Sequence, residues 1–139
     1  MWDIDPSREM LSQPSKRNLA EVRAGRLTLT EGGTESLTAI APVDVVVANH
    51  VLYFWHQPAD ELAAIHAALR PGGLLALGYQ LKQNMPPMAQ RHFPRQGHLL
   101  YSSDEQIARL LAAAGFAGIS HHVKGAPAAP PGRVVLATS

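Results

Sequence analysis

Two polar sites in the sequence each follow a short apolar stretch that is predicted to be a β-strand. Asp5 ends the stretch "WDID" and is followed by Pro6 and Ser7, which are typical of the first residues of a helix. Asn49 and His50 directly follow the apolar run "VDVVVA". Ligands of open α/β sheets bind outside the carboxyl ends of the strands, so these side chains are candidates to line a cleft.

The side chains at these two sites are suited to ligand binding and proton transfer. The Asp5 carboxylate can accept two hydrogen bonds from hydroxyl groups of a ligand, or it can stabilise the N-terminus of the following helix. Asp3 competes for the same role if the strand register shifts by two residues. His50 is a candidate general base, because histidine titrates near neutral pH. The alternative is that His50 is only a polar residue packed under the loop.

Strands and helices are predicted to alternate along the chain and to position these residues. Apolar and β-branched patterns predict strands at 26–30, 43–48 and 74–79, then two closing strands, "FAGISHHV" and "GRVVLATS", around the turn-rich segment "GAPAAPPG". Capping and periodicity predict three helices. The first begins at Ser7, with a kink or break at Pro14, and the second runs from Pro58 to the turn at 71–73. The third runs from a capping box of Ser102 and Glu105 to Gly115. This order predicts an α/β fold with a mostly parallel sheet.

Two segments carry further expectations about packing. The run 43–48 is β-branched and nearly continuous, which predicts a parallel strand covered on both faces. Residues 80–101 have no clear periodicity, which predicts a long connection of the kind that often forms a lid or a binding loop.

The composition excludes several classes of function. The 139 residues are 46% hydrophobic and 17% charged, which suits a single globular domain over 1–139. A formal net charge of +1 gives no electrostatic footprint for nucleic acid or a membrane surface. The absence of cysteine excludes disulfides and thiolate catalysis, and His121 and His122 are expected on opposite strand faces, so no metal is predicted. No segment is predicted to span a membrane or to be a signal peptide, so a cytoplasmic location is expected.

Four segments, in order, resemble class I S-adenosylmethionine-dependent methyltransferases. They are the acidic strand end "IDPS" at 4–7, the adenine-loop segment "EGGTESL" at 31–37, the turn "LRPGGL" at 69–74, and the helix with its "AGF" end, "YSSDEQIARLLAAAGFAGI", at 101–119. The resemblance implies a Rossmann-like sheet, mostly parallel with a C-terminal antiparallel hairpin. It also implies S-adenosylmethionine as the cofactor and methyl transfer to a small-molecule acceptor.

On the cofactor side, the resemblance implies that Asp5 binds the ribose and that Gly33 and Thr34 lie in the adenine loop. Gly33 departs from the family, which commonly has an acid at this position, so only a backbone contact is available there. Thr34 or Glu35 can substitute for that acid, or the segment is a simple turn. Asn49 lies where the family's chain passes the cofactor.

On the acceptor side, the resemblance makes His50 the candidate catalytic residue and also a candidate cofactor contact. Methyl transfer from a sulfonium often needs little acid–base help, because alignment supplies much of the rate. The candidate substrate residues are Tyr53, Tyr79, His92 and Tyr101. Tyr53 begins an aromatic run, 53–55, that either lines the acceptor pocket, with cation–π contact to the sulfonium, or anchors the core.

The family's first strand and glycine-rich loop have no counterpart in this sequence, which begins one βα unit later. The chain is therefore interpreted as an N-terminally truncated, partial methyltransferase domain that is fully active only when the absent unit is supplied. The alternative is a catalytically inactive relative that acts as a binding or oligomerisation module. Both interpretations predict two unpaired strand edges and hence a homodimer or another oligomer.

Overall fold

The strands of the chain form two separate sheets. The computed structural model describes residues 1–126 and 129–139, so residues 127 and 128 of the predicted turn "GAPAAPPG" lie outside the described residues. The chain divides into two packed units, Met1–Ala41 and Pro42–Ser139, each with its own sheet.

The first unit is built around a pair of parallel strands. Its elements are β1 (Trp2–Asp5), α1 (Arg8–Arg17), α2 (Leu19–Arg23), β2 (Thr28–Glu31) and a 3₁₀ helix (Thr34–Ala39). Asp5 lies opposite Glu31 in the register of the two strands. Ser7 caps α1 as predicted, its hydroxyl accepting a hydrogen bond from the Met10 N–H. The break predicted at Pro14 is displaced: Pro14 lies inside α1, and α1 gives way to α2 at Asn18.

The second unit holds a mixed four-stranded sheet. Its elements are β3 (Val43–Asn49), a 3₁₀ turn (Leu52–Phe54), α3 (Pro58–Ala68), β4 (Leu69–Tyr79), a second 3₁₀ turn (Lys82–Asn84), α4 (Pro87–Arg95), α5 (Asp104–Ala113), β5 (Ala117–Ala126) and β6 (Ala129–Thr138). The strand order is β3-β4-β6-β5, with β3 and β4 parallel and the other pairs antiparallel. The predicted α/β fold with an antiparallel closing hairpin is confirmed. The sheet of this unit, predicted to be mostly parallel, is mixed, with one parallel pair and two antiparallel pairs among the described strands.

Three sequence predictions about the bounds of elements in this unit need correction. The helix predicted from Pro58 ends at Ala68, so the Pro-Gly-Gly turn belongs to β4 rather than to the helix end. The capping box of α5 is formed by Ser103 and Gln106, one residue later than predicted. The connection 80–101 contains the helix α4. This helix was not predicted because it has two prolines at its start and one near its end, and proline is a helix breaker in most positions.

The core of the second unit lies between one face of the sheet and two helices. Leu75, Leu77 and Val135 point from the sheet, and each is fully buried. The helices contribute Leu62 and Ile65 from α3 and Ile107 and Leu111 from α5, all at most 1% exposed. Burial of each such side chain stabilises the fold by about 1.5–3 kcal/mol.

The other face of β3 is not covered. Val45 is 52% exposed and Val47 is 74% exposed, so the prediction of a strand buried on both faces is wrong for the described residues. Among those residues β3 pairs only with β4, and β1 pairs only with β2. Both strands therefore have one unpaired edge, as the sequence predicted.

Candidate functional site

The carboxyl end of β3 is held against β4 by backbone and side-chain contacts. The His50 N–H donates to the Gly78 carbonyl at 2.9 Å, which extends the strand pairing by one residue. The chain then turns sharply, because His50 adopts φ +56°, a left-handed conformation that is uncommon for residues with a side chain. The Asn49 side chain lies across Gly78, where a Cβ atom would collide with Asn49 Oδ1. Glycine at 78 thus leaves room for the Asn49 amide.

Tyr53 fixes the loop that follows His50. Its hydroxyl donates to the Gln80 carbonyl at 3.2 Å and accepts a short hydrogen bond from the Gln80 N–H. Its carbonyl accepts from the Leu99 N–H at 3.0 Å. Tyr53 is 3% exposed, and this burial raises the pKa of its hydroxyl. These contacts favour the core-anchoring interpretation of Tyr53, although its ring also stacks 6.3 Å from the His50 ring.

Tyr79 is the centre of a part-buried polar network. Its hydroxyl lies 2.6 Å from Asp104 Oδ1 and 2.8 Å from His121 Nδ1, and Asp104 Oδ2 accepts from Arg133 Nη1 at 2.7 Å. The phenol has one proton, which it donates to the Asp104 carboxylate. In the contact with His121, the Tyr79 oxygen must therefore accept, which assigns a proton to His121 Nδ1. Burial, and then the Asp104 carboxylate, raise the pKa of Tyr79 well above its usual value.

A cleft with a volume of about 260 Å³ opens at this end of the sheet. It is lined by Asn49, His50, Tyr79, His122, Val123, Lys124, Gly132, Arg133 and Val134. Three predicted site residues, Asn49, His50 and Tyr79, thus meet in one place. Sequence reasoning missed the residues from the closing hairpin. The one sequence feature that pointed to them was the alternation of side chains along a strand, which places His121 and His122 on opposite faces. In the structure His121 contacts Tyr79, and His122 lines the cleft.

The other two predicted substrate residues lie elsewhere in the second unit. Tyr101 lines a different cleft, about 380 Å³ in volume, with Leu99, Leu100, Gln106, Arg109 and Leu110. Its hydroxyl is buried without a hydrogen-bond partner among the described residues, and burial raises its pKa. His92 is exposed on α4 and lines neither cleft.

In the first unit, the Asp5 carboxylate lies at the carboxyl end of β1. Its Oδ1 accepts a hydrogen bond from the Ser7 N–H at 2.7 Å, so it stabilises the start of α1 as one of its two interpretations requires. Asp5 is half-buried, and its Oδ2 accepts no hydrogen bond from the described residues. One carboxylate oxygen is therefore free to bind a ligand while the other holds the helix.

The loop after β2 contains an acid close to Gly33. The Gly33 N–H donates to Glu35 Oε1 at 2.6 Å, and this hydrogen bond lowers the pKa of Glu35. Thr34 begins the 3₁₀ helix directly after Gly33. The carboxylate of the loop is thus carried by Glu35, two residues beyond the position where an acid was expected.

A family model described as a methyltransferase domain matches residues 1–121. No curated protein matches the sequence. No helix within 1–126 or 129–139 combines the length and the apolar character that crossing a membrane requires.

Several solved structures resemble the fold. N-methyltransferase NodS from Bradyrhizobium japonicum, in complex with S-adenosyl-L-homocysteine, is 16% identical with a TM-score of 0.72, covering 99% of this chain and 65% of that one. A possible exported protein from Bordetella parapertussis is 17% identical with a TM-score of 0.68, covering 99% of this chain and 52% of that one. A SAM-dependent methyltransferase from Archaeoglobus fulgidus is 10% identical with a TM-score of 0.71, covering 99% of this chain and 75% of that one. The chain thus spans 65% of the length of NodS and 52% of the length of the Bordetella parapertussis protein.

Proposed function

Because the chain belongs to the methyltransferase-domain family, we propose that it takes part in methyl transfer from S-adenosylmethionine to a small-molecule acceptor. The observation that carries the proposal is the family match over residues 1–121. That range includes the acidic end of β1, the loop after β3 and the Pro-Gly-Gly turn. The bound cofactor supplies a methyl group on a positively charged sulfur, which is already a good leaving group.

On the cofactor side, we assign the ribose to Asp5 and the adenine to the loop of Gly33 and Thr34. The free Oδ2 of Asp5 fits a diol, because a carboxylate oxygen accepts hydrogen bonds that a neutral side chain accepts less strongly. Glu35 supports the adenine assignment, since it places a carboxylate in this loop that can accept from an amino group, while the Gly33 N–H is already donated to Glu35 Oε1.

On the acceptor side, we assign Asn49 and His50 to the border between cofactor and acceptor. His50 would take a proton from an acceptor nitrogen or oxygen, provided that the acceptor carries one at the reacting atom. Tyr79 joins them in lining the cleft, while its hydroxyl proton is committed to Asp104. Tyr79 is therefore assigned to shaping the cleft and not to proton transfer.

A second candidate function is an oligomerisation module without catalysis. The unpaired edge of β3 and its exposed Val45 and Val47 favour it, since such an edge accepts a further strand. We propose that the edge pairs with a second copy of the chain in a homodimer, within the cytoplasm, and that 1–139 acts as one partial domain. Cofactor binding distinguishes the two candidate functions, because methyl transfer requires it and the oligomerisation module does not.

Calorimetric titration of the folded chain with S-adenosyl-L-homocysteine tests the methyl-transfer proposal. We expect saturable binding that Asp5→Asn weakens about 10- to 100-fold, the range for hydrogen bonds to a charged group. Asp60→Asn, which removes an exposed carboxylate from the first turn of α3, is the matched control and should leave the Kd unchanged.

No binding at millimolar ligand, from a chain shown to be folded, would refute cofactor binding and leave the oligomerisation module. Equal weakening by Asp5→Asn and Asp60→Asn would refute the assignment of the ribose to Asp5. Sedimentation of the same samples reports whether the chain is a dimer.

A further inference from the structure

The cleft at the end of β3 and β4 is lined by basic groups and by no acidic side chain of the described residues. His50, His122, Lys124 and Arg133 contribute to its wall. The chain as a whole is almost neutral, with a formal net charge of +1, so this concentration of basic groups is local. A wall of this kind favours a negatively charged ligand.

The positive charge at this wall is only partly cancelled. Arg133 is paired with Asp104, whose other oxygen accepts from the Tyr79 hydroxyl. Lys124 has no carboxylate partner among the described residues, and its side chain is exposed. Among the described residues, the hydrogen-bond partner of His122 is the Ser120 hydroxyl, at 3.1 Å between Nε2 and Oγ. Lys124 therefore supplies an ammonium group that a ligand can neutralise.

The rest of the wall limits the size and chemistry of that ligand. Val134 supplies apolar surface on the sheet face that also carries His122 and Lys124, and Gly132, opposite Lys124, adds no side chain there. The volume of about 260 Å³ lies just below the range of roughly 300–1,000 Å³ that is usual for small-molecule sites. Hydrogen-bond donors are available from the Asn49 amide and the Lys124 ammonium, and a carboxylate accepts from several donors at once.

We propose that this cleft binds a small organic carboxylate through Lys124, with its hydrocarbon part against Val134. That this carboxylate is the methyl acceptor rests on the proposed function, because Asn49 and His50 border the same cleft. The carboxylate end lies at the hairpin, which leaves the end near His50 for the reacting atom.

The test is a titration of the ¹⁵N-labelled chain with sodium benzoate, followed by NMR without any cofactor. Benzamide, which has nearly the same shape and no charge, is the neutral comparison. We expect benzoate to shift the amide signals of 122–124 and 132–134 saturably and benzamide to bind at least fivefold more weakly. Lys124→Gln should raise the benzoate Kd about fivefold, since an exposed ion pair contributes modestly. Lys82→Gln, at an exposed lysine outside the cleft, should change the Kd less than twofold.

Equal binding of benzoate and benzamide, or a Kd that Lys124→Gln leaves unchanged, would overturn the anion site. Tighter binding of phenyl phosphate than of benzoate would overturn the carboxylate assignment in favour of a phosphate ester. The result is separable from the cofactor titration. Benzoate binding without S-adenosyl-L-homocysteine binding would refute methyl transfer and keep the anion site, and the reverse would refute the anion site alone.

Discussion

The hydroxyl of Tyr79 gives the sharpest test of how the second unit is held together. The Tyr79 ring is 1% exposed, so Tyr79→Phe removes one oxygen atom and leaves the ring packing intact. The substitution deletes the hydrogen bond to Asp104 at 2.6 Å and the contact with His121 Nδ1 at 2.8 Å. Asp104 keeps its ion pair with Arg133, so its carboxylate is not left without a partner.

The loss in the free energy of unfolding follows from the hydrogen bonds that Asp104 and His121 each lose. A hydrogen bond to a charged acceptor contributes about 1.5–3 kcal/mol to stability. His121 Nδ1 loses its partner in the same step, and His121 Nε2 already has no hydrogen-bond partner in the part of the chain that the structure describes. We therefore expect Tyr79→Phe to lower the free energy of unfolding by about 2–3 kcal/mol, which is a large part of the roughly 5–15 kcal/mol that is typical of a domain.

The assay is equilibrium unfolding in urea, in which an unchanged m-value shows that a shift of the midpoint reports a change in stability. Tyr101→Phe is the matched control. The Tyr101 hydroxyl is buried with no partner among the described residues, so its removal should leave stability unchanged or raise it by up to about 1 kcal/mol. A Tyr79→Phe loss below about 0.5 kcal/mol, or equal losses in the two variants, would refute the network as a source of stability.

Three further predictions concern pH, capping and the free edge of β3. Burial raises the pKa of all three tyrosines, so above about pH 10 the unfolded chain loses these protons first. The free energy of unfolding should then fall as the pH rises, and a tyrosine absorbance midpoint near pH 10 in the folded chain would contradict this. Ser103→Ala should lower the free energy of unfolding by about 1 kcal/mol because it removes the cap of α5, whereas Ser102→Ala should have little effect in the same urea assay. Val47→Lys should convert the proposed dimer to monomers in sedimentation, since a charge on an exposed edge strand opposes pairing; a dimer that persists would exclude this edge as the interface.

The elements that could be predicted from the sequence are those with a local signal. Pro58 at the first position of α3 marks that helix directly, and Gly115, at φ +97°, follows the end of α5 as expected. The capping box was misplaced because the sequence offers two, Ser102 with Glu105 and Ser103 with Gln106. Starting the helix at Asp104 brings that carboxylate to Tyr79, a long-range contact that no local pattern contains.

The candidate site could be predicted only in part, for the same reason. Asn49 and His50 follow a strand and were found from that position alone. Lys124 and Arg133 are placed by the pairing of β5 with β6 and of β6 with β4, and β4 and β6 are more than fifty residues apart in the sequence. The exposure of Val47 was missed because the burial of a strand face depends on what packs against it, and the strand's own residues do not determine that.

The same register links the stability of the fold to the chemistry of the cleft. Tyr79 lies opposite Arg133 in the pairing of β4 with β6, and Asp104 holds both side chains. A slip of one residue would place Gly132 or Val134 opposite Tyr79 and turn Arg133 to the other face of the sheet. The Asp104 carboxylate would then lose its charged partner in a part-buried position, which is strongly unfavourable. Asp104 therefore selects the register that brings His122 and Lys124 of the hairpin to the sheet face that carries Asn49.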